Sequence, residues 1–170
     1  MIFFFISAFF YLLHDKYFPA EQAEKNYVPV VAVHDGDTVS VIINSKEEKV
    51  RLIGIDAPEI SQRPWGKRSQ EYLETVLSSS GWKVKLETDI EKKDKYGRIL
   101  VYLWSDDDKM INLLMVKSGN AMLYTVPPNV KHVDEFISAQ REAKDKRLGI
   151  WGEKGLKEKP SDYRRKHPIS

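Results

Sequence analysis

Two β-prone segments joined by a short polar stretch constrain this chain more than any other feature in it. Val39 to Ile43 is rich in β-branched residues, Lys49 to Ile55 alternates in part, and Asn44-Ser45-Lys46-Glu47-Glu48 between them is polar and turn-like. The pattern predicts a β-hairpin. Its open end carries Asp35-Gly36-Asp37-Thr38 on one side and Arg51-Leu52-Ile53-Gly54-Ile55-Asp56-Ala57-Pro58-Glu59 on the other. With the turn centred on Lys46 and Glu47, Asp37 is expected almost opposite Asp56, the two Cβ atoms about 4.5–5.5 Å apart. Carboxylates held that close repel unless a cation joins them, and a hard ion with oxygen ligands such as Ca²⁺ is the simplest solution.

The 170 residues suit one domain with tails, since a domain of about 150 residues buries roughly two-thirds of its unfolded surface. A formal net charge of +2 gives no overall basic field, so any argument for an anionic partner rests on where charge is placed. With no cysteine, thiolate catalysis, thiolate metal sites and disulfides are all excluded. Ile2 to Leu13 is an almost unbroken apolar run followed by His14-Asp15-Lys16. Its length matches a signal-peptide core of about 7–15 residues and falls short of the roughly 20 that span a bilayer, so export is expected. No Lys or Arg precedes the run and Phe18-Pro19-Ala20 is a poor cleavage site, which leaves open an uncleaved membrane anchor through residues 2–13, or a buried segment. Glu21 to Asn26 reads as a polar linker.

Tyr27 to Val33 reads as a first strand, leading directly into the hairpin. Gly66 to Ser79 holds Tyr72, Leu73, Val76 and Leu77 at helical spacing. Trp82, Val84 and Leu86 alternate with charged residues as a half-buried strand, and Ile99 to Trp104 is the next, with Asp89 to Arg98 as a charged connection between them. Met110 to Lys117 predicts a second helix, stopped by Gly119. Val133 to Arg147, with Val133, Phe136, Ile137, Gln140 and Ala143 on one face, predicts a third, stopped by Gly149. Five short strands and three helices in this order suit an α+β fold with a mostly β core, a small partly open barrel of the OB-fold kind. The chain divides into an N-terminal signal or anchor segment with its linker at 1–26, a barrel domain at 27–152 and a polar, basic tail at 153–170, read as solvated despite Arg164, Arg165 and Lys166.

Taken singly, each candidate functional residue has an ordinary reading. Asp-Gly-Asp-Thr makes turns, Arg51 on a strand beside Ile53 and Ile55 needs only a carboxylate partner, and Glu59 and Arg98 would be solvated loop charges. Pro58, however, holds Ala57 extended and leaves its carbonyl free to turn toward a metal at Asp56. The three segments Asp35-Gly36-Asp37-Thr38, Arg51 to Glu59 and Asp94-Lys95-Tyr96-Gly97-Arg98, in this order, resemble the signature of the staphylococcal nuclease (thermonuclease) family. The likeness runs from Val30 to about Trp151 and includes Gly119-Asn120-Ala121, Tyr124, Pro128-Asn129, His132 to Glu135 and Leu148-Gly149-Ile150-Trp151.

The resemblance implies a Ca²⁺-dependent phosphodiesterase on an OB-fold barrel, cutting DNA and RNA to leave 3′-phosphates. It implies Asp37, Asp56 and the Ala57 carbonyl as metal ligands, with Asp35 supporting them through water. Glu59 would be the general base or water-ordering group, Arg51 and Arg98 would hold the scissile phosphate, and Tyr96 and Tyr124 would line the nucleotide pocket. Ala57 stands where the best-known member has threonine, Val126 replaces a second pocket tyrosine, and the loop after Glu59 is shorter, so substrate preference is the item least carried over. A monomer is expected. The alternative of another class is a nuclease-like domain without catalysis that serves as a binding module for nucleic acid or protein, and the presence of Asp37, Asp56, Glu59, Arg51 and Arg98 together argues against it.

Overall fold

The structure, a computed structural model, describes residues 27–168. The apolar run Ile2–Leu13 and the linker Glu21–Asn26 lie outside the described residues. Within those described, no helix is long and apolar enough to cross a membrane.

Strand β1 (Tyr27–Val33) passes through a tight loop into β2 (Thr38–Ile43), which turns into β3 (Lys46–Leu52). The turn differs from the expected one. Ile43 pairs with Lys46, so the turn is the two residues Asn44 and Ser45, and both take left-handed backbone angles, φ 49° and 61°. Two-residue hairpin loops with positive φ match the natural twist of the flanking strands, and asparagine tolerates that region better than most residues. The register therefore shifts: Thr38 pairs with Arg51, and Leu52 donates its N–H to the Asp37 carbonyl at 2.9 Å. Asp37 is not opposite Asp56.

Instead the chain turns at Gly54 (φ +81°) and enters a separate two-residue strand, β4 (Ile55–Asp56), which pairs with β7 (Met122–Leu123). A side chain at Gly54 would strike the Phe136 ring at 2.6 Å, so this turn accepts only glycine. Arg51 therefore shares no continuous strand face with Ile53 and Ile55, both of which point into the core.

Helix α1 (Trp65–Ser79) leads to β5 (Lys83–Glu87), and β6 (Ile99–Trp104) returns antiparallel to it and parallel to β3. The five strands close as β1-β2-β3-β6-β5, a five-stranded OB-type barrel of the α+β class, closed rather than partly open. Closure removes the sheet edges. Val39, Val41, Val50, Val84, Val101 and Leu103 fill its interior with no exposed surface. Trp82 precedes β5 at φ +58° and is 38% exposed, so the inward alternation begins at Val84.

Helices α2 (Ile111–Lys117) and α3 (Val133–Asp145) pack on each other against the barrel. On α3 the buried residues are Phe136, Ala139 and Ala143, whereas Ile137 is exposed and the half-buried Gln140 accepts the Leu123 N–H at 2.9 Å. Where three helices were expected, the described residues form four. The additional helix, α4 (Pro160–Lys166), lies in the tail read as solvated. Proline at its first position is favourable because the missing N–H has no helical acceptor there.

Candidate active site

The three acidic and basic segments meet at one end of the barrel, each shaped by hydrogen bonds between a side chain and the backbone. In the loop between β1 and β2 the Asp37 N–H donates to Asp35 Oδ1 at 2.9 Å, a side-chain turn that presents both carboxyl groups together. Gly36 permits the packing beneath. A Cβ there would lie 1.8 Å from Ser69 Oγ on α1 and 2.8 Å from the Ala57 side chain. The second segment is fixed from inside by Asn112, fully buried on α2, whose amide nitrogen donates to the Ile53 carbonyl at 2.9 Å and whose oxygen accepts from the Leu103 N–H at 2.9 Å.

Asp37 and Asp56 are 5% and 1% exposed. Asp37 Oδ2 accepts the Ala57 N–H at 2.8 Å and lies 3.0 Å from Arg51 Nη2, while its Oδ1 accepts the Thr38 hydroxyl at 3.1 Å. The Ala57 group in contact with Asp37 is thus its N–H. Arg51 also donates to the carbonyls of Leu52 and Ile55, at 2.5 and 2.8 Å, and stands 3.8 Å from Asp56. Its guanidinium is held rigidly, and with five N–H groups in all it keeps donors for an anion.

Glu59 sits just beyond Pro58, part-exposed, its N–H donated to the side-chain oxygen of the buried Gln62 at 3.0 Å. Arg98 comes from the turn before β6. Asp94 makes that turn, accepting the N–H groups of Tyr96 and Arg98 at 2.9 and 3.0 Å on one oxygen and Arg98 Nε at 2.7 Å on the other. Burial works against the Asp94 charge, but the Arg98 guanidinium and these N–H groups outweigh it and hold the carboxyl below its usual range. The Arg98 head also lies 5.6 Å from the Tyr96 ring centre.

Asp35, Asp37, Arg51, Glu59, Tyr96, Arg98 and Tyr124 all line a single cleft of about 970 Å³, as do Val126 and Asn129. Asp56 and Ala57 are buried and do not reach its surface. Tyr96 and Tyr124 are 73% and 44% exposed, free to contact a ligand. The loop bearing Tyr124 and Val126 is tied across the cleft by the buried Asn129, which exchanges two 2.8 Å hydrogen bonds with the Glu91 backbone.

One residue outside the expected set enters the cluster. Arg164 of α4 donates Nη1 to Glu59 Oε1 at 2.6 Å and Nη2 to Asp56 Oδ1 at 2.9 Å. Burial alone would weaken its charge, but Glu59 and Asp56 more than compensate and push its pKa up. Nothing in local sequence pattern pairs residues separated by 105 and 108 positions.

Even with Arg164 present, negative charge is in surplus. Four carboxyl groups, of Asp35, Asp37, Asp56 and Glu59, meet two guanidinium groups, of Arg51 and Arg164. Burial first, and the Asp37 charge second, push the Asp35 carboxyl up to about 7. Burial likewise raises Asp56 against the pull of Arg164. Asp56 Oδ2 is buried without a hydrogen-bond partner. A buried, unpaired carboxylate oxygen beside a second carboxylate is a costly arrangement that a hard divalent cation would relieve. The donor chemistry suits such an ion. Among the described residues no three His, Asp or Glu side chains form a metal cage by themselves, so a cation here would draw on Asp37 and Asp56 together with backbone oxygen and water.

Comparison with known proteins shows the family to which this chain belongs. The family model described as staphylococcal nuclease homologue matches residues 49–153. The chain is 40% identical to the thermonuclease of Staphylococcus intermedius over 127 residues, covering 72% of this chain and 74% of that protein. It is 34% identical to the thermonuclease of Staphylococcus hyicus over 134 residues, 76% and 78% of the two chains. With the endonuclease YncB of Bacillus subtilis it shares 35% identity over 128 residues, 71% of this chain and 59% of that one.

Proposed function

The chain belongs to the staphylococcal nuclease family and is a hydrolytic nuclease, a phosphodiesterase; we propose that it is a calcium-dependent nuclease acting on DNA and RNA with low sequence specificity and leaving 3′-phosphate ends. The observation that carries the calcium reading is the buried, unpartnered Asp56 Oδ2, in a carboxylate cluster whose charge two arginines do not balance. Asp37 and Asp56 would hold the ion, with the Ala57 carbonyl and Asp35, through water, completing the set. When bound it supplies a positive charge that polarises a phosphoryl oxygen and lowers the pKa of water.

The remaining work falls to residues of the chain. Arg51, clamped by two carbonyls and Asp37, offers its spare N–H groups to the scissile phosphate at no cost in rearrangement. Arg98, steered by Asp94, supplies a second guanidinium from the facing segment. Negative charge grows on the phosphoryl oxygens during attack, so two fixed planar cations lower the barrier more than they stabilise the ground state. Glu59 is the proton acceptor for the attacking water, a role typically worth about 10²–10⁴-fold in rate. Tyr96 and Tyr124 stack against bases, and since every base has such a face this contact reads little sequence. The reading includes action as a monomer, which the supply of every one of these groups by one chain allows. The apolar run Ile2–Leu13 supports an exported protein, secreted or held at the outer face of the cell membrane.

The test is cleavage of single-stranded DNA by the purified chain with calcium and then with chelator. Loss of activity on chelation, restored by calcium, supports the assignment, and activity indifferent to chelator overturns it. End-labelling of products for 3′-phosphate checks the polarity of cleavage.

A further inference from the structure

Arg164 occupies the two carboxylates that the reaction needs most. It bridges Asp56, assigned above to the metal, and Glu59, assigned to the attacking water, with one nitrogen on each. A forked cation in that place does part of a metal ion's electrostatic work while leaving no proton acceptor free at Glu59 Oε1. The segment that delivers it has its own moorings. Gln62, whose oxygen holds the Glu59 N–H, donates its nitrogen to the Glu158 carbonyl at 3.0 Å, and Trp65 Nε1 donates to the Lys154 carbonyl at 3.3 Å. Pro160 is buried at the start of α4. The helix is only seven residues long, Pro160 included, and among its residues the Arg164 side chain makes its contacts with the cluster rather than with its own helix. His167 and Pro168 continue along the same cleft.

We propose that α4 is an autoinhibitory strap: Arg164 stands in for the divalent cation at Asp56 and masks Glu59, and calcium and Arg164 exclude one another. The strap is hinged at Pro160, on a stem that Gln62 and Trp65 hold beside the site, and cation binding releases it. Occupancy by Arg164 lowers the apparent affinity for calcium by the factor by which the closed form outweighs the open one. By linkage, calcium lowers the population of the closed strap to the same extent. The inference rests on the calcium reading above.

The experiment is calorimetric titration of the purified chain and of Arg164→Gln with calcium chloride alone, without nucleic acid. Arg164→Gln is expected to bind calcium about tenfold more tightly at unchanged stoichiometry, and Arg164→Lys, which keeps the charge and loses the fork, to fall between. Equal or weaker affinity in Arg164→Gln, with calcium binding in both chains, overturns the strap and leaves the calcium reading standing. Binding by neither chain overturns both. Hydrogen exchange of the parent chain provides a second readout that needs no variant: amides of Asp162 to His167 should exchange faster at saturating calcium. Unchanged exchange there, with calcium bound, also overturns the strap.

Discussion

Two clusters built around Asp and Glu carboxylates sit on this barrel, and they are wired in opposite ways. On the flank, Glu87 accepts hydrogen bonds from Trp104 Nε1 at 2.6 Å and contacts Lys131 Nζ and His132 Nε2 at 2.5 and 3.1 Å. Beside it, Asp89 accepts the Tyr102 hydroxyl at 3.0 Å and the Lys131 N–H at 3.1 Å. Burial disfavours both charges, yet the donors win and each carboxyl is held below its ordinary value. At the mouth of the barrel the carboxyls of Asp35 and Asp56 are raised instead, and one oxygen has no partner. The flank cluster fastens the start of α3 to β5 and β6. The mouth cluster is held in place by the fold at a cost to stability, which is the sign of a site kept for a ligand.

If that contrast is right, mutations in the two clusters should part company. The largest effect is expected from Glu59→Gln, which should lower kcat at least about 100-fold in the nuclease assay while leaving the thermal midpoint nearly unmoved, because Glu59 is part-exposed on a loop. A matching loss of stability would mean that Glu59 belongs with the structural cluster. Saturating calcium comes next: at 100 times its Kd it should stabilise the fold by about 2.7 kcal/mol, measured as a shift in urea unfolding. Glu87→Ala should do the reverse of Glu59→Gln, costing about 1–2 kcal/mol of stability by stranding the part-buried donors Trp104 Nε1 and His132 Nε2 and leaving kcat at a permissive temperature within about twofold of the parent.

The smallest effect concerns pH, and its sign differs between the clusters. Glu87 and Asp89 have lowered pKa values in the folded chain, so their stabilisation is present above the ordinary values of 4.5 and 3.8 and is lost as pH falls through the folded ones. Asp35 runs the other way. Its folded pKa is raised from 3.8 to about 7, so stability is full below 3.8 and declines as pH climbs toward 7. Without calcium, Asp35→Asn should therefore be more stable than the parent at pH 8 by about 1 kcal/mol or more, a gap that closes as pH is lowered toward 4. A parent stability that rises steadily from pH 4 to 8 without metal would break the comparison.

Much of this was legible beforehand. The strands and helices of the barrel follow from periodicity, and the positions of Asp37, Arg51, Asp56, Glu59 and Arg98 were marked by motif order. The hairpin register was not, because turn polarity over Asn44 to Glu48 is uniform and only backbone geometry selects Asn44 and Ser45 as the pair with positive φ. That error of register would have made Asp37 and Asp56 cross-strand neighbours. They are close for a different reason: the turn at Gly54 carries Asp56 into a second small sheet and Ala57 donates its N–H back to Asp37.

Sequence alone determined which segments could build a barrel, since alternation and turn residues are local properties of neighbouring residues, and its motif order carried the family likeness that implies a phosphate-binding and metal-binding site. Tertiary structure alone decided how their charges balance. Whether a carboxylate is paired, orphaned or masked depends on groups brought to it from far along the chain: Lys131 and His132 to Glu87, and Arg164 to Asp56 and Glu59. Electrostatic energy in a buried site is set by distance and desolvation, not by separation in sequence. That is why a tail read as solvated turns out to hold a cation at the centre of the site.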